Sequence, residues 1–256
     1  SRASGLANIE LNVQASPKHV FEIGSISKQF TAYAILMLYE RGKVDLRAPV
    51  ERYLTDLPDR WGAPTLHQLM SHTSGLPDFE EAFDYGVYRE TPSDGDFLKR
   101  LLDLPIEAGP GQKWSYSNTN YWLLARVLEK VSGLTYAQYM QERIFTPLGM
   151  TSTRTALPSQ VLVGRAAGYR LVDDRLENRE AIQPHTGRGL GDIASNVADM
   201  ARALDKRYVF LWNPTERRHR RLATSPNGVV TTGTFAGRRV LDVKTKELIA
   251  LAIAVT

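Results

Sequence analysis

The sequence contains no cysteine. That excludes a disulfide scaffold, a thiol nucleophile and any Cys-ligated zinc or iron–sulfur centre. It also lacks a long hydrophobic run: the longest, around Ala32–Tyr39, is far too short to cross a bilayer, so no membrane span is expected. Its histidines are His19, His67, His72, His185 and His219, and none falls at metal-ligand spacing. His67 and His72 stand five apart, with no Glu placed as in a zinc-protease helix, so neither a metal nor a cofactor is expected. The chain opens Ser1-Arg-Ala-Ser-Gly5, without the charged start and apolar stretch of a signal peptide. No internal repeat or low-complexity tract is present. A large excess of charge of one sign is missing too, with 32 Lys+Arg against 28 Asp+Glu. Much of the small basic excess sits in Arg217–Arg221, which has no interleaved aromatics and reads as a solvated tail, so no nucleic-acid partner is expected.

What remains is ordinary globular composition, 43% hydrophobic over 256 residues, enough for one domain with a sizeable core or two small ones. Ile9, Leu11 and Val13 alternate and predict a strand with one wet face over 6–13. A helix is predicted from near Ser25 to Gly42, apolar around most of its circumference and therefore central and buried. Shorter helices follow at about 66–72, 96–104, 121–131 and 136–144, and another at 195–204 with Ser195 as its N-cap. Gly228–Gly233 reads as a short strand or turn, and 242–256 as an apolar helix capped by Asp242.

Two short patterns carry chemistry. A serine hydroxyl needs a partner to take its proton, and residues three apart share a helix face. Lys28 can therefore point its amine at Ser25, and burial would lower that lysine's pKa toward the neutral, proton-accepting form. The helix start also places N–H groups and positive dipole beside Ser25, where an oxyanion forms in acyl transfer. Ser27 lacks the one-turn geometry. On four residues alone, a capping Ser25 with a solvated Lys28 is the favoured reading. The second pattern is Tyr116-Ser-Asn118: a phenol that can shuttle a proton, and an amide that can bond a substrate carbonyl or the lysine. A packed aromatic, with an Asn capping a helix from near Thr119, accounts for the same residues. Trp114, Tyr121 and Trp122 flank this pattern and read first as packing, with an apolar acyl pocket as the alternative.

Together with Phe21–Ala32, Leu69–Pro77, Pro110–Gly133, Tyr139–Thr153 and Gly189–Ala203, these motifs resemble the serine β-lactamase and penicillin-binding-protein superfamily, and within it the class C β-lactamase-like branch of family VIII esterases and DD-peptidases. The resemblance implies an α+β fold, mainly helical here, in which a helical domain packs on an antiparallel sheet. It implies a serine hydrolase that forms an acyl-enzyme on an ester, β-lactam or peptide substrate, in a periplasmic or other extracytoplasmic setting. Ser25 would be the nucleophile, assisted by Lys28. Tyr116 would be base for acylation and acid for the leaving group, and Asn118 would position substrate. Which of Lys28 and Tyr116 holds the proton at each stage stays open.

The pattern is incomplete at both ends. The strand and helix that normally precede 6–13 are absent, so a truncated start and an incomplete sheet are expected. The family's third motif, a Lys or His followed by x-Gly on an edge strand, should follow residue 205. His185-Thr-Gly187 has the letters in the wrong order along the chain, so His185 is carried as a substitute substrate-binding residue against a solvated loop histidine. Lys244-Thr-Lys246 lacks the glycine and Thr231-Thr-Gly233 lacks the cation. Residues 241–255 instead resemble the first helix of carboxymuconolactone-decarboxylase-like proteins. The expected division is a hydrolase domain over 1–205 and an atypical basic tail with an apolar helix over 206–256. The competing reading is a catalytically impaired or inactive truncated member acting as a binding or structural module. A redox or decarboxylase activity would rest on the tail alone.

Overall fold

A computed structural model describes residues 3–61, 63–156, 160–179 and 183–205, with strand segments at 210–213, 218–221, 223–224, 230–231 and 234–235. The strands that bear on the site are short. β1 (Leu6–Asn8) and β2 (Val13–Gln14) pair with each other, while β3 (Phe21–Glu22), β4 (Arg154–Thr155) and β7 (Ile193–Ser195) form an antiparallel sheet in the order β3-β7-β4. Between the last two, β5 (Tyr169–Val172) and β6 (Arg175–Asn178) make a separate hairpin. Beyond these, β8 (Phe210–Asn213), β9 (Arg218–Arg221) and β12 (Thr234–Phe235) form a second three-stranded sheet, and β10 (Ala223–Thr224) pairs with β11 (Val230–Thr231).

The helices are α1 (Ser27–Glu40), α2 (Leu66–Met70), α3 (Phe79–Phe83), α4 (Asp94–Leu102), α5 (Asn118–Ser132), α6 (Tyr136–Met140), α7 (Thr146–Leu148), α8 (Pro184–Gly187) and α9 (Val197–Asp205). Local chemistry explains where they start. Thr65 with Gln68, and Thr135 with Gln138, close capping boxes before α2 and α6. Ser93 caps α4, and Gly133 ends α5 in the left-handed conformation. The architecture is thus α+β and mainly helical, as expected. α1 and α5 pack against each other at its centre, with Phe30 edge-on to Phe145 and Phe97 edge-on to both Phe79 and Trp122.

Several expectations are corrected. The strand over 6–13 is a hairpin: Asn8 accepts the Leu11 N–H at 2.7 Å, Asn12 takes φ 51°, and Ile9 and Leu11 face solvent. Two asparagines that favour turns outweigh the alternation. The central, buried position expected of α1 holds, with Tyr33, Leu36, Met37 and Tyr39 half-buried on its outer side, and α5 shares that position, buried from Asn118 to Ala125. Ser195 ends β7 instead of capping α9. Asn196 is the cap, accepting the Asp199 N–H at 2.9 Å. α3 was not foreseen. The predicted helix over 242–256 lies outside the described residues.

Gly189 shows how closely α5 is approached. It has φ +79°, and a Cβ there would stand 2.7 Å from the Ala125 Cβ and 2.8 Å from the Tyr121 carbonyl oxygen. Gly189→Ala combines left-handed strain with overpacking, so it should lower the unfolding free energy by at least about 2 kcal/mol. Chemical denaturation would read this, and unchanged stability would show that the 188–190 turn can shift.

Candidate active site

Strand β3 reaches the site through Gly24, whose φ of +53° turns the chain into a 3-10 turn over Gly24–Ile26 ahead of α1. Ser25 lies on that turn, partly exposed, and Lys28 sits one turn further on with no exposed surface. Ser27 faces away: its Oγ accepts the Ile193 N–H at 3.2 Å and ties α1 to β7.

The side chains of Ser25, Lys28, Tyr116 and Asn118 come together. Ser25 Oγ is 2.9 Å from Tyr116 OH and 3.0 Å from Lys28 Nζ. Lys28 Nζ also donates to Asn118 Oδ1 at 2.9 Å and to the Leu190 carbonyl at 3.2 Å. It lies 4.9 Å from the centre of the Tyr116 ring and 5.7 Å from that of Tyr121. Burial pushes the amine down to about 7, against the opposing pull of the Asp78 and Glu80 carboxylates. Burial likewise pushes the Tyr116 phenol up to about 12, partly offset by its bond to Ser25. Near neutral pH the phenol is protonated and the amine is poised to accept a proton.

His72 was passed over as a metal ligand, and its actual place is beneath Tyr116. The rings stack at 4.7 Å with 27° between planes. The His72 carbonyl accepts the Ser115 N–H at 2.8 Å, and its Nδ1 accepts the Ser117 N–H at 3.1 Å. Burial, and then the charge on Lys28, hold this imidazole down at about 3. It is a neutral acceptor that fixes the segment carrying Tyr116. The Leu69–Pro77 segment stood out in the sequence, but nothing in its spacing assigns His72 this contact.

Asn118 does not cap α5; Ser117 holds that position, and the Asn118 N–H donates to Asp78 Oδ1 at 3.1 Å. Its side-chain Nδ2 donates to Asp78 Oδ2 at 3.2 Å and to Glu80 Oε2 at 3.1 Å. Both amide hydrogens therefore meet carboxylates, and of the two partners expected for this amide, a substrate carbonyl or the lysine, the lysine is in contact with its oxygen. His185 is brought to a different place. It is exposed on α8, its carbonyl accepts the Trp122 indole N–H at 3.1 Å, and no hydrogen bond of the Ser25 cluster involves its side chain among the described residues. Tyr121 and Trp122 are core residues, and Trp114 is exposed. Lys244–Lys246, Thr232 and Gly233 lie outside the described residues, and Thr231 falls in β11. Among the described residues no cluster of His, Asp or Glu could hold a metal ion, and no helix is long and apolar enough to cross a membrane.

Comparisons with known proteins bear on the family and the fold. The Beta-lactamase family profile matches residues 1–242. The putative penicillin-binding protein PbpX of Bacillus subtilis is 32% identical over 205 residues, which are 78% of this chain and 49% of the relative. Among solved structures, the octameric penicillin-binding protein homologue from Pyrococcus abyssi superposes with TM-score 0.67 at 32% identity, over 78% of this chain and 47% of the other. The D-amino acid amidase from Ochrobactrum anthropi SV3, complexed with L-phenylalanine amide, gives 0.68 at 27% identity, over 78% and 60%. The chain thus spans about half the length of these relatives.

The buried amine has a signature in stability. With a folded pKa of about 7 against 10.5, Lys28 is neutral in the folded protein and charged in the unfolded chain between those values. The unfolded state then binds more protons, so unfolding free energy should rise as pH increases from about 7 to 10. Lys28→Met should flatten that rise. Equal slopes in urea titrations of the two proteins would show that the amine titrates normally.

Proposed function

Because the chain belongs to the Beta-lactamase family, we propose that it is a serine acyl-transfer hydrolase that forms an acyl-enzyme at Ser25 on an ester or amide substrate, the β-lactam and peptide amides included. One observation carries the reading. Ser25 Oγ lies 3.0 Å from a buried amine whose two other partners, Asn118 Oδ1 and the Leu190 carbonyl, can only accept hydrogen bonds. A neutral amine has two hydrogens and one lone pair. The two acceptors take the hydrogens, and the lone pair is left for the Ser25 hydroxyl.

Acylation then follows in balanced steps. The Ser25 proton passes to Lys28 as Oγ attacks the carbonyl carbon. The Ser25 backbone N–H, in the first turn where helical N–H groups lack intrahelical partners, faces the developing oxyanion. Tyr116 gives its phenolic proton to the leaving group as the ester or amide bond breaks, and takes one back from the Lys28 ammonium. Water then hydrolyses the ester by the reverse relay. The resemblance implied Tyr116 as the base. The ordering of about 7 for Lys28 and about 12 for Tyr116 favours Lys28 for the first transfer and Tyr116 as the donor. The relatives support the substrate class: one is described as an amidase bound to an amino-acid amide and two as penicillin-binding proteins or homologues.

A fluorescent penicillin or fluorophosphonate, followed by intact mass, tests this directly. The wild type should gain one adduct, at a rate that climbs with pH through about 7 as Lys28 deprotonates. Ser25→Ala should gain none. Ser27→Ala should still be labelled, while losing about 1–3 kcal/mol of stability from the stranded Ile193 N–H. Adduct formation on Ser25→Ala would move the nucleophile elsewhere. Turnover of p-nitrophenyl butyrate, a chromogenic cephalosporin and D-phenylalanine amide would rank the substrates. Labelling with no turnover of any of them would mark a chain that acylates without hydrolysing.

A further inference from the structure

We propose that Asp78 and Glu80 are positioning residues for this site: by engaging both amide hydrogens of Asn118 they turn its oxygen toward Lys28, and thereby aim the lysine lone pair at Ser25. The inference rests on the acyl-transfer reading above.

An asparagine amide is nearly symmetric in shape, and only its partners decide which end is oxygen. Here they decide it from one side. Nδ2 meets Asp78 Oδ2 at 3.2 Å and Glu80 Oε2 at 3.1 Å. Asp78 also receives the backbone N–H groups of Glu80 at 3.2 Å and Asn118 at 3.1 Å. Burial, and after it the neighbouring Glu80 carboxylate, raises the Asp78 carboxyl above its usual range, and the N–H groups of Glu80 and Asn118 oppose that rise while occupying its oxygens as acceptors. Glu80 Oε2 is pinned in turn by the Tyr88 hydroxyl at 2.6 Å. The Asn118 oxygen is left facing Lys28 Nζ at 2.9 Å.

A flipped amide would set its oxygen against two carboxylates and its hydrogens against the amine. Lys28 would then spend its lone pair on Asn118 and turn a hydrogen toward Ser25, reversing the sense of the Lys28–Ser25 hydrogen bond. The amide as held leaves Asn118 without a hydrogen for a substrate carbonyl. Its contribution is therefore to the chemical step, and loss of the clamp should lower the acylation rate more than it weakens substrate binding. The acids come from the turn before α3 and its first residues, the asparagine from the start of α5 and the lysine from α1, so the clamp joins three elements.

The test compares Glu80→Leu, which removes the acceptor, with Glu80→Gln, which keeps an acceptor oxygen and removes the charge. In saturation kinetics of acylation, Glu80→Leu should cut the limiting rate by about tenfold or more with little change in the apparent binding constant, as expected for a lost charge-assisted hydrogen bond. Glu80→Gln should recover most of that loss. In both variants the acid limb of the acylation–pH profile should move to lower pH. The groups facing Lys28 are Asp78, Glu80, neutral His72 and the phenols of Tyr116 and Tyr121, and removing one carboxylate weakens the pull that favours the ammonium. A Glu80→Leu protein that acylates at the wild-type limiting rate, or whose loss lies wholly in binding, overturns the proposal.

A second measurement does not depend on acylation. In the Ser25→Ala background, hydrogen exchange of the Asn118 side-chain amide, followed by NMR, should speed up by about tenfold or more in Glu80→Leu. Unchanged exchange overturns the clamp even where labelling succeeds. Slow exchange in a protein that is never labelled overturns the acyl-transfer reading and leaves the clamp standing.

Discussion

An ammonium group taken fully out of water is costly unless it sheds its proton or finds close partners. Lys28 has no exposed surface and does both: burial brings its pKa down to about 7, and its Nζ sits within hydrogen-bond reach of three oxygens. Those oxygens belong to the turn before α1, to the first residue of α5 and to the turn at Leu190. The amine is satisfied only when all three segments are in place, so the need to satisfy it links the packing of α1 on α5 to the geometry around Ser25.

The Leu190 turn is fixed from both sides. Gly189 allows it to press against α5, and its carbonyl accepts the Thr31 hydroxyl at 2.6 Å. Arg188 is mostly buried and bridges Asp94 on α4 at 2.7 Å and Glu129 on α5 at 3.1 Å. Arg126 joins the same network through Asp94 at 3.3 Å and Asp56 at 2.6 Å. Each of the two mostly buried arginines thus has two carboxylate partners, and Asp94 is shared by both. These bridges hold a backbone carbonyl where the lysine needs an acceptor. His72 does the corresponding work for Tyr116, gripping the backbone on either side of it and stacking on its ring.

Legibility from the sequence followed the range of the interactions. Helical spacing puts Ser25 and Lys28 on one face and the family's motif order made the pair legible, while the burial of Lys28 brings the groups to 3.0 Å. The end of α5 at Gly133 was readable because its cause is local. The hairpin over 6–14 was missed because alternation suggested a buried face that does not exist. Asn118 was placed in the site through family resemblance. The orientation of its amide was not legible, because that depends on two carboxylates about 40 residues upstream in the chain.

By itself, then, the sequence determined the pairing of Ser25 with Lys28, the exclusion of cysteine chemistry, and the family, since these rest on residue identity, local spacing and motif order. Only the tertiary structure decided which oxygens surround the amine, that Ser27 turns to β7, that His72 lies under Tyr116, and that Asp78 and Glu80 hold Asn118. Each of these contacts joins segments far apart in the chain: Lys28 meets Asn118 across 90 positions and Leu190 across 162. No local periodicity encodes such a separation. It is set by the close packing of α1, α5 and the Leu190 turn, and by the requirement that every polar group buried between them find a partner.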